Sequence, residues 1–256
     1  MDKFDLSVVV IAKNESEMIK DCLSSVSWAK EILVVDSGST DNTVEIAKKM
    51  GARVLNISSG KMEFSRWRNI GLKEATGKWL FYLDADERAT PQLKEELREI
   101  MAKPVKYYAY QLPRRNFYLG REMHYGGAWP SYVKRFFLKE KLSMWERELH
   151  EDPVFEGELG TIANPILHYT HRDLSSMLVK TKEWSKIEAN LLYKANHPPV
   201  TWWRLIRIML TEFWERGIKL KGIKDGTEGW IEVIFQMFSR FLTYARLWEL
   251  QDEKNK

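Results

Sequence analysis

Trp79-Leu80-Phe81-Tyr82-Leu83-Asp84-Ala85-Asp86-Glu87 is the stretch that decides the fold: five apolar residues run without a break into three carboxylates. An apolar run this short, rich in aromatics, predicts a buried strand, and the carboxylates mark its end. In extended backbone Asp84 and Asp86, two apart, project to the same side. Such a pair suits a hard divalent cation held by one or two carboxylates, with phosphate oxygens and water completing its shell. The plainer reading is a solvated acidic turn before a helix that starts near Pro91.

Upstream, the pattern predicts βαβ units around a buried parallel sheet. Strands are expected at Leu6–Ala12, Glu31–Asp36, Arg53–Ile57 and Lys78–Leu83. Helices are expected at Glu15–Val26, Thr40–Met50 and Phe64–Ala75. This is a doubly wound α/β arrangement, in which ligands bind beyond the carboxyl ends of the strands. Two further strand ends are polar there. One reads Ala12-Lys13-Asn14-Glu15, the other Asp36-Ser37-Gly38-Ser39-Thr40-Asp41. A carboxylate at Asp36 can accept a hydrogen bond from a base N–H or a ribose hydroxyl. Three polar edges side by side predict a nucleotide site.

Downstream, a helix is expected from Pro91 to Met101, then strand pieces at Tyr107–Pro113 and Tyr132–Leu138 separated by Gly126, Gly127 and Pro130. Helical periodicity follows at Leu174–Asn196, Thr201–Leu220 and Trp230–Leu250. Residues 1–170 are thus expected to form one α/β region, and residues 171–256 a helical extension.

The chain has 256 residues, 44% hydrophobic and 30% charged, which excludes disorder for its bulk. Forty basic against 36 acidic residues leave a net charge of +4, with the basic residues scattered among acids, so nucleic-acid binding is not expected. The single Cys22 excludes an internal disulfide and reads as a small buried hydrophobe. Neither a signal peptide nor a transmembrane helix is expected. The location predicted is cytoplasmic, or peripheral on a membrane from its cytosolic side. Eight of the eleven tryptophans follow residue 128, which suggests a second region with a different task.

Val8–Glu15, Val34–Asp41, Arg68-Asn69 ahead of Gly77-Lys78-Trp79, and Asp84-Ala85-Asp86 together resemble, in order and spacing, the inverting nucleotide-sugar glycosyltransferases of family two, with the GT-A fold. Arg114–Arg121, Gly126–Pro130, Leu149-His150-Glu151 and Leu167-His168-Tyr169 are similar to the branch that builds the lipopolysaccharide core. The resemblance implies a GT-A fold, a Rossmann-like doubly wound mixed sheet, with a C-terminal helical extension. It implies transfer of a sugar, glucose from UDP-glucose as the family default, to a lipid-linked inner-core acceptor. Alternatives are another cell-envelope polysaccharide or a polyprenyl phosphate as acceptor, or a non-catalytic nucleotide-binding module.

Carried onto this chain, the resemblance places Ala12, Asn14, Glu15, Asp36, Arg68 and Asp84 at the nucleotide sugar, with Arg66 as the alternative to Arg68 if the helix is phased differently. Asp86 becomes the principal metal ligand for Mg2+ or Mn2+, with Asp84 beside it. His168 can complete that site, although a hydrogen-bonded structural histidine is the plainer reading. Inversion is a single displacement, so it needs a general base and no protein nucleophile. Glu151 and Asp152 are the candidates, and His150 would orient the base or pack.

Residues 114–135 carry Arg114, Arg115, Arg121, Lys134 and Arg135 among Tyr118, Tyr125, Trp129 and Tyr132. Aromatic faces stack on sugar rings and guanidinium groups pair with anions, so an acceptor wall is expected here, with Arg114 and Trp129 as its contacts. Thr201–Lys221 reads as a basic amphipathic helix with tryptophans. That pattern fits a membrane interface, packing on neighbouring helices, or the subunit interface of a homo-oligomer.

Overall fold

A computed structural model describes residues 4–57, 63–147 and 151–253. Its elements are β1 (Phe4–Ala12), α1 (Ile19–Ser25), β2 (Ala29–Asp36), α2 (Thr43–Lys49), β3 (Arg53–Asn56), α3 (Phe64–Glu74), β4 (Trp79–Asp84), β5 (Glu87–Ala89), α4 (Pro91–Ala102), β6 (Ala109–Tyr118), β7 (Arg121–Glu122), β8 (Ser131–Leu138), β9 (Leu142–Glu146), β10 (Asp152–Phe155), β11 (Leu159–Thr161), β12 (Ile166–Tyr169), α5 (Leu174–Lys194), α6 (Trp202–Glu212) and α7 (Gly226–Glu253). Two compact units result. One comprises Met1–Arg114 and Tyr132–His168, the other Arg115–Ser131 and Tyr169–Lys256.

The first unit is built on a mixed sheet in the order β3-β2-β1-β4-β8-β6-β12-β5, parallel from β3 to β4 and antiparallel between β4 and β8. This is the mixed α/β architecture expected. Alternation along the strands divides the core. Val8, Val10, Phe81 and Leu83 pack with Ile19, Leu23, Leu93 and Leu97 of α1 and α4, whereas Val9, Ile11, Leu80 and Tyr82 pack with Trp67 of α3 and Trp145 of β9. Each of these side chains is buried on folding, which stabilises by about 1.5–3 kcal/mol for a Leu, Ile, Val or Phe. Gly71 lets α3 lie close to the sheet, because a Cβ there would collide with the Val9 side chain.

Helix starts differ from expectation for a local reason. The turn after β1 and the turn after β2 bind each other before either chain enters its helix. Asn14, at φ 55°, has its backbone N–H on Ser39 Oγ at 2.9 Å and accepts the Thr40 N–H on its own side-chain oxygen at 2.7 Å. The Glu15 N–H donates to Thr43 Oγ1 at 2.8 Å, and the Ser16 N–H to Asp41 at 3.1 Å. Those residues are therefore spent on the cross-link, and α1 begins at Ile19 and α2 at Thr43.

In the second unit α7 packs against both α5 and α6. Asp173 caps α5 by accepting the Ser176 N–H at 2.7 Å. Arg240 of α7 joins Glu188 of α5 at 2.8 Å and Glu212 of α6 at 3.4 Å. The helix expected over Thr201–Leu220 is regular only as far as Glu212; Phe213–Lys219 widens into π-helical turns. Residues 115–131 belong with these helices, since Asp225 accepts the Tyr125 N–H at 2.8 Å and Arg121 pairs with Glu228 at 3.0 Å. Among the described residues no helix is long and apolar enough to cross a membrane.

Candidate active site

Sheet register brings the three polar edges into line: Ala12 pairs with Asp36, and Ile11 with both Val35 and Asp84. Asp36 is buried, and its carboxylate accepts the Gly38 and Ser39 N–H groups at 3.0 and 2.9 Å together with the Ser39 hydroxyl. Ala12 receives the Ser37 N–H on its carbonyl at 3.1 Å. Ala12, Asn14, Glu15 and Asp36 therefore form one rigid lip.

Asp84 ends β4 beside two buried guanidinium groups. Arg68 of α3 donates to its Oδ1 at 3.0 Å, and Arg135 of β8 to its Oδ2 at 2.6 Å. Burial opposes the charged carboxylate, but Arg135 and then Arg68 outweigh it and hold the Asp84 pKa well below the usual range. Arg68 also reaches Glu151, with Nε at 3.2 Å and Nη2 at 3.1 Å from Oε1. One guanidinium thus bridges Asp84 and a candidate base. Its plane lies over the Trp145 ring, 5.0 Å from the centroid. Asn69, next in sequence, donates to the Trp145 carbonyl at 2.9 Å and accepts the Trp145 N–H at 2.7 Å, which fastens β9 to α3. Arg66 instead pairs with Glu63 at 2.7 Å on the exposed side of α3.

The turn after Asp84 is held from beneath. Glu87 is fully buried and accepts the Asp84 N–H at 2.9 Å, with Arg135 at 3.6 Å and Arg114 at 3.7 Å from its other oxygen. Arg88 donates to the carbonyls of Ala85, Glu87 and Met18, each at 2.8 Å. Cys22 lies under the same turn, its Sγ 3.6 Å from the Asp84 carbonyl, and burial pushes its thiol pKa far up. Antiparallel pairing of β5 with β12 sets His168 opposite Glu87, so His168 Nε2 stands 3.4 Å from Asp86 Oδ2.

No group of three or more His, Cys, Asp or Glu among the described residues could hold a metal ion by itself. Asp86 and His168 supply two adjacent donors, which is the number Mg2+ or Mn2+ takes when phosphate oxygens and water provide the rest. The donor set fits a divalent cation shared with a phosphorylated ligand. Among the described residues, Arg68 Nη1 and Arg135 Nε are buried without a hydrogen-bond partner, which leaves donor capacity for an anion.

Asp152 lies apart from this cluster, half exposed and paired with Lys134 at 2.7 Å. His150 lies outside the described residues. Of the basic residues read as an acceptor wall, Arg114 pairs with Glu87, Arg115 with Glu122, Arg121 with Glu228, Lys134 with Asp152 and Arg135 with Asp84, so the chain's own carboxylates already engage all five. Arg114 borders the Asp84 cluster through Glu87, and Trp129 is an exposed residue of the other unit. The partner role of Arg135 was missed from sequence.

Relatives span nearly the whole chain. The lipopolysaccharide core biosynthesis glycosyltransferase LpsC of Rhizobium meliloti is 25% identical, over 96% of this chain and 93% of its own length. An uncharacterized glycosyltransferase of Rickettsia typhi, RT0209, is 27% identical over 96% and 87% respectively. Among solved structures, glucosyl-3-phosphoglycerate synthase of Mycobacterium tuberculosis, crystallised with Mn2+, UDP and glucosyl-3-phosphoglycerate, is 19% identical, with a TM-score of 0.47 over 75% of this chain and 80% of that one. Residues 7–153, the segment that runs from β1 into β10 and so carries Arg68, Asp84, Asp86 and Glu151, match the model of glycosyl transferase family 2, and the chain belongs to that family of glycosyltransferases.

Proposed function

We propose that the chain is an inverting glycosyltransferase, assisted by a divalent cation, that moves a hexose, glucose from UDP-glucose being the first candidate, onto a lipid-linked saccharide of the lipopolysaccharide inner-core kind. The observation that carries this reading is the Arg68 guanidinium shared by Asp84 and Glu151. It sets the end of the nucleotide-binding sheet and a carboxylate base on one rigid group. The similarity to LpsC supports the acceptor class. The place of action would be peripheral, at the cytosolic face of the inner membrane.

In this reading Asp36 keeps one acceptor position, on Oδ1, for a nucleobase N–H or a ribose hydroxyl, because a carboxylate has about four and three are taken. Arg68 and Arg135 turn their remaining N–H groups to the diphosphate. Asp86 and His168 would hold the cation, which when bound supplies Lewis-acid neutralisation of the departing diphosphate. Both bonds from Arg68 fall on Glu151 Oε1, so Oε2 is the atom that takes the proton of the acceptor hydroxyl. As that hydroxyl oxygen bonds to the anomeric carbon, the bond from that carbon to the nucleoside diphosphate breaks and the configuration inverts.

Calorimetric titration with UDP, GDP and their glucose conjugates, with and without Mn2+, tests the donor half. Metal-enhanced binding of one nucleotide, weakened in Asp86→Ala, is expected. A folded protein that binds none of them would overturn the catalytic reading, and metal-independent binding of a nucleotide without transfer would favour the non-catalytic nucleotide-binding module.

A further inference from the structure

Residues 201–224 contain six basic and two acidic side chains, a net charge of +4 that equals that of the entire chain. Outside this segment the chain balances, with 34 residues of each sign. The same segment turns apolar side chains outward. Trp202 is 73% exposed, Trp203 53%, Leu210 56% and Trp214 59%, and Ile206 is exposed with them. Trp203, Ile206, Leu210 and Trp214 recur at helical spacing, so one face of α6 and its π-helical continuation is an apolar stripe directed to solvent. Trp230, Ile234 and Phe238, also exposed, form a second stripe on α7, and the Phe213 and Trp230 rings stand 6.3 Å apart where the two meet.

The acids of the segment are occupied: Glu212 by Arg216 and Arg240, Glu215 by Lys219. Arg204, Arg207, Lys221 and Lys224 carry the excess. Exposed indole rings flanked by guanidinium groups match the region where acyl chains give way to headgroups, and excess positive charge selects an anionic leaflet. A second copy of the chain fits less well, because a twofold pairing through this face would set like charge against like charge.

We propose that the exposed face of α6 and the π-helical turns after it is a membrane-docking surface that lies in the headgroup layer of an anionic bilayer. Its purpose rests on the reading of a lipid-linked acceptor, but its test does not.

The test is flotation of the full chain with vesicles of phosphatidylcholine alone and of phosphatidylcholine mixed with phosphatidylglycerol in equal parts, at low and high salt. Binding to the mixed vesicles, weakened by salt, is expected. Replacing both Arg204 and Arg207 by Gln should weaken it about thirtyfold, and replacing both Trp203 and Trp214 by Ala should weaken it about as much. These residues are on the surface, so thermal melting and UDP binding should be unchanged in both variants. Equal binding to the two vesicle types, binding to neither, or full binding by the tryptophan variant would overturn the proposal. A wild-type dimer that the tryptophan variant converts to monomer, without vesicle binding in either, would assign the face to a second copy and overturn it too. Vesicle binding intact in a protein that binds no nucleotide would leave the docking surface standing and sink the transferase mechanism.

Discussion

Arg68 and Glu151, 83 residues apart in sequence, meet at 3.1 Å, and the same Arg68 nitrogen holds Asp84 at 3.0 Å. With its side chain almost wholly buried, this guanidinium has no solvent alternative. Its removal would leave two carboxylates short of a partner in a low-dielectric site. Arg68→Ala should therefore destabilise the fold by about 3 kcal/mol, the cost of breaking a buried ion pair. Arg68→Lys should recover part of that loss but little activity, because one ammonium cannot bridge both carboxylates in the same geometry. Denaturant unfolding and turnover, measured on both variants, separate the two effects.

Glu151→Gln preserves shape and hydrogen-bond capacity but removes the basic oxygen. Transfer should fall by roughly 10²–10⁴-fold, the range for loss of general-base catalysis, while UDP affinity stays near wild type. Asp152→Asn, which breaks only the half-exposed pair with Lys134, should retain most of the rate. If the order is reversed, Asp152 is the base.

Asp86 and His168 stand 3.4 Å apart, and in the proposed mechanism they are the residues that would hold the cation. EDTA should weaken UDP binding to the wild-type protein, and added Mn2+ should restore it. In Asp86→Asn and His168→Ala the same titrations should show a much smaller metal effect. Metal dependence undiminished in His168→Ala would return that histidine to a structural role.

Acid should unfold the protein through its hydrogen-bonded aspartates. Desolvation raises the Asp41 pKa, but hydrogen bonds from Thr43 and Ser16 outweigh it and lower the value from 3.8 to about 2. Asp84 is depressed as well, by Arg135 and Arg68 against its burial. A carboxylate with a depressed folded-state pKa contributes stability that is complete above its unfolded value and is lost as pH falls through the folded one. For Asp41 the window runs from about pH 4 down to about 2. Asp41→Asn should be less stable than wild type at neutral pH, and its melting temperature should vary less across that window.

The strand that ends in Asp84 and Asp86 is legible because an apolar run followed abruptly by carboxylates has few other interpretations. The partner of Asp84 is not legible. Arg135 comes 51 residues later on an antiparallel neighbour, and nothing local in Val133-Lys134-Arg135-Phe136-Phe137 specifies which strand it will face. The register of β5 with β12, which sets His168 beside Asp86, is hidden for the same reason. Helix starts at Ile19 and Thr43 are obscured differently. Asn14, Glu15 and Thr40 have the composition of helix caps, but tertiary bonds between the two turns claim their polar groups first. In the C-terminal region periodicity revealed the helices and their apolar stripes, and the outward direction of the stripe on α6 emerged only from the packing of α6 on α7.

Asn69 and Arg68 share a turn of α3. Through the Asn69 clamp on Trp145 that turn secures the hairpin leading to Glu151, and through Arg68 it secures Glu151 itself. In the proposed mechanism, donor-side and acceptor-side chemistry are thus keyed to one short helix, itself seated through Gly71 against Val9. A substitution as small as Gly71→Ala, which overpacks that seat at a cost of about 1–3 kcal/mol, should detune both halves of the reaction together. On heating, transfer should cease when α3 lets go of the sheet, whatever the C-terminal helices are still doing.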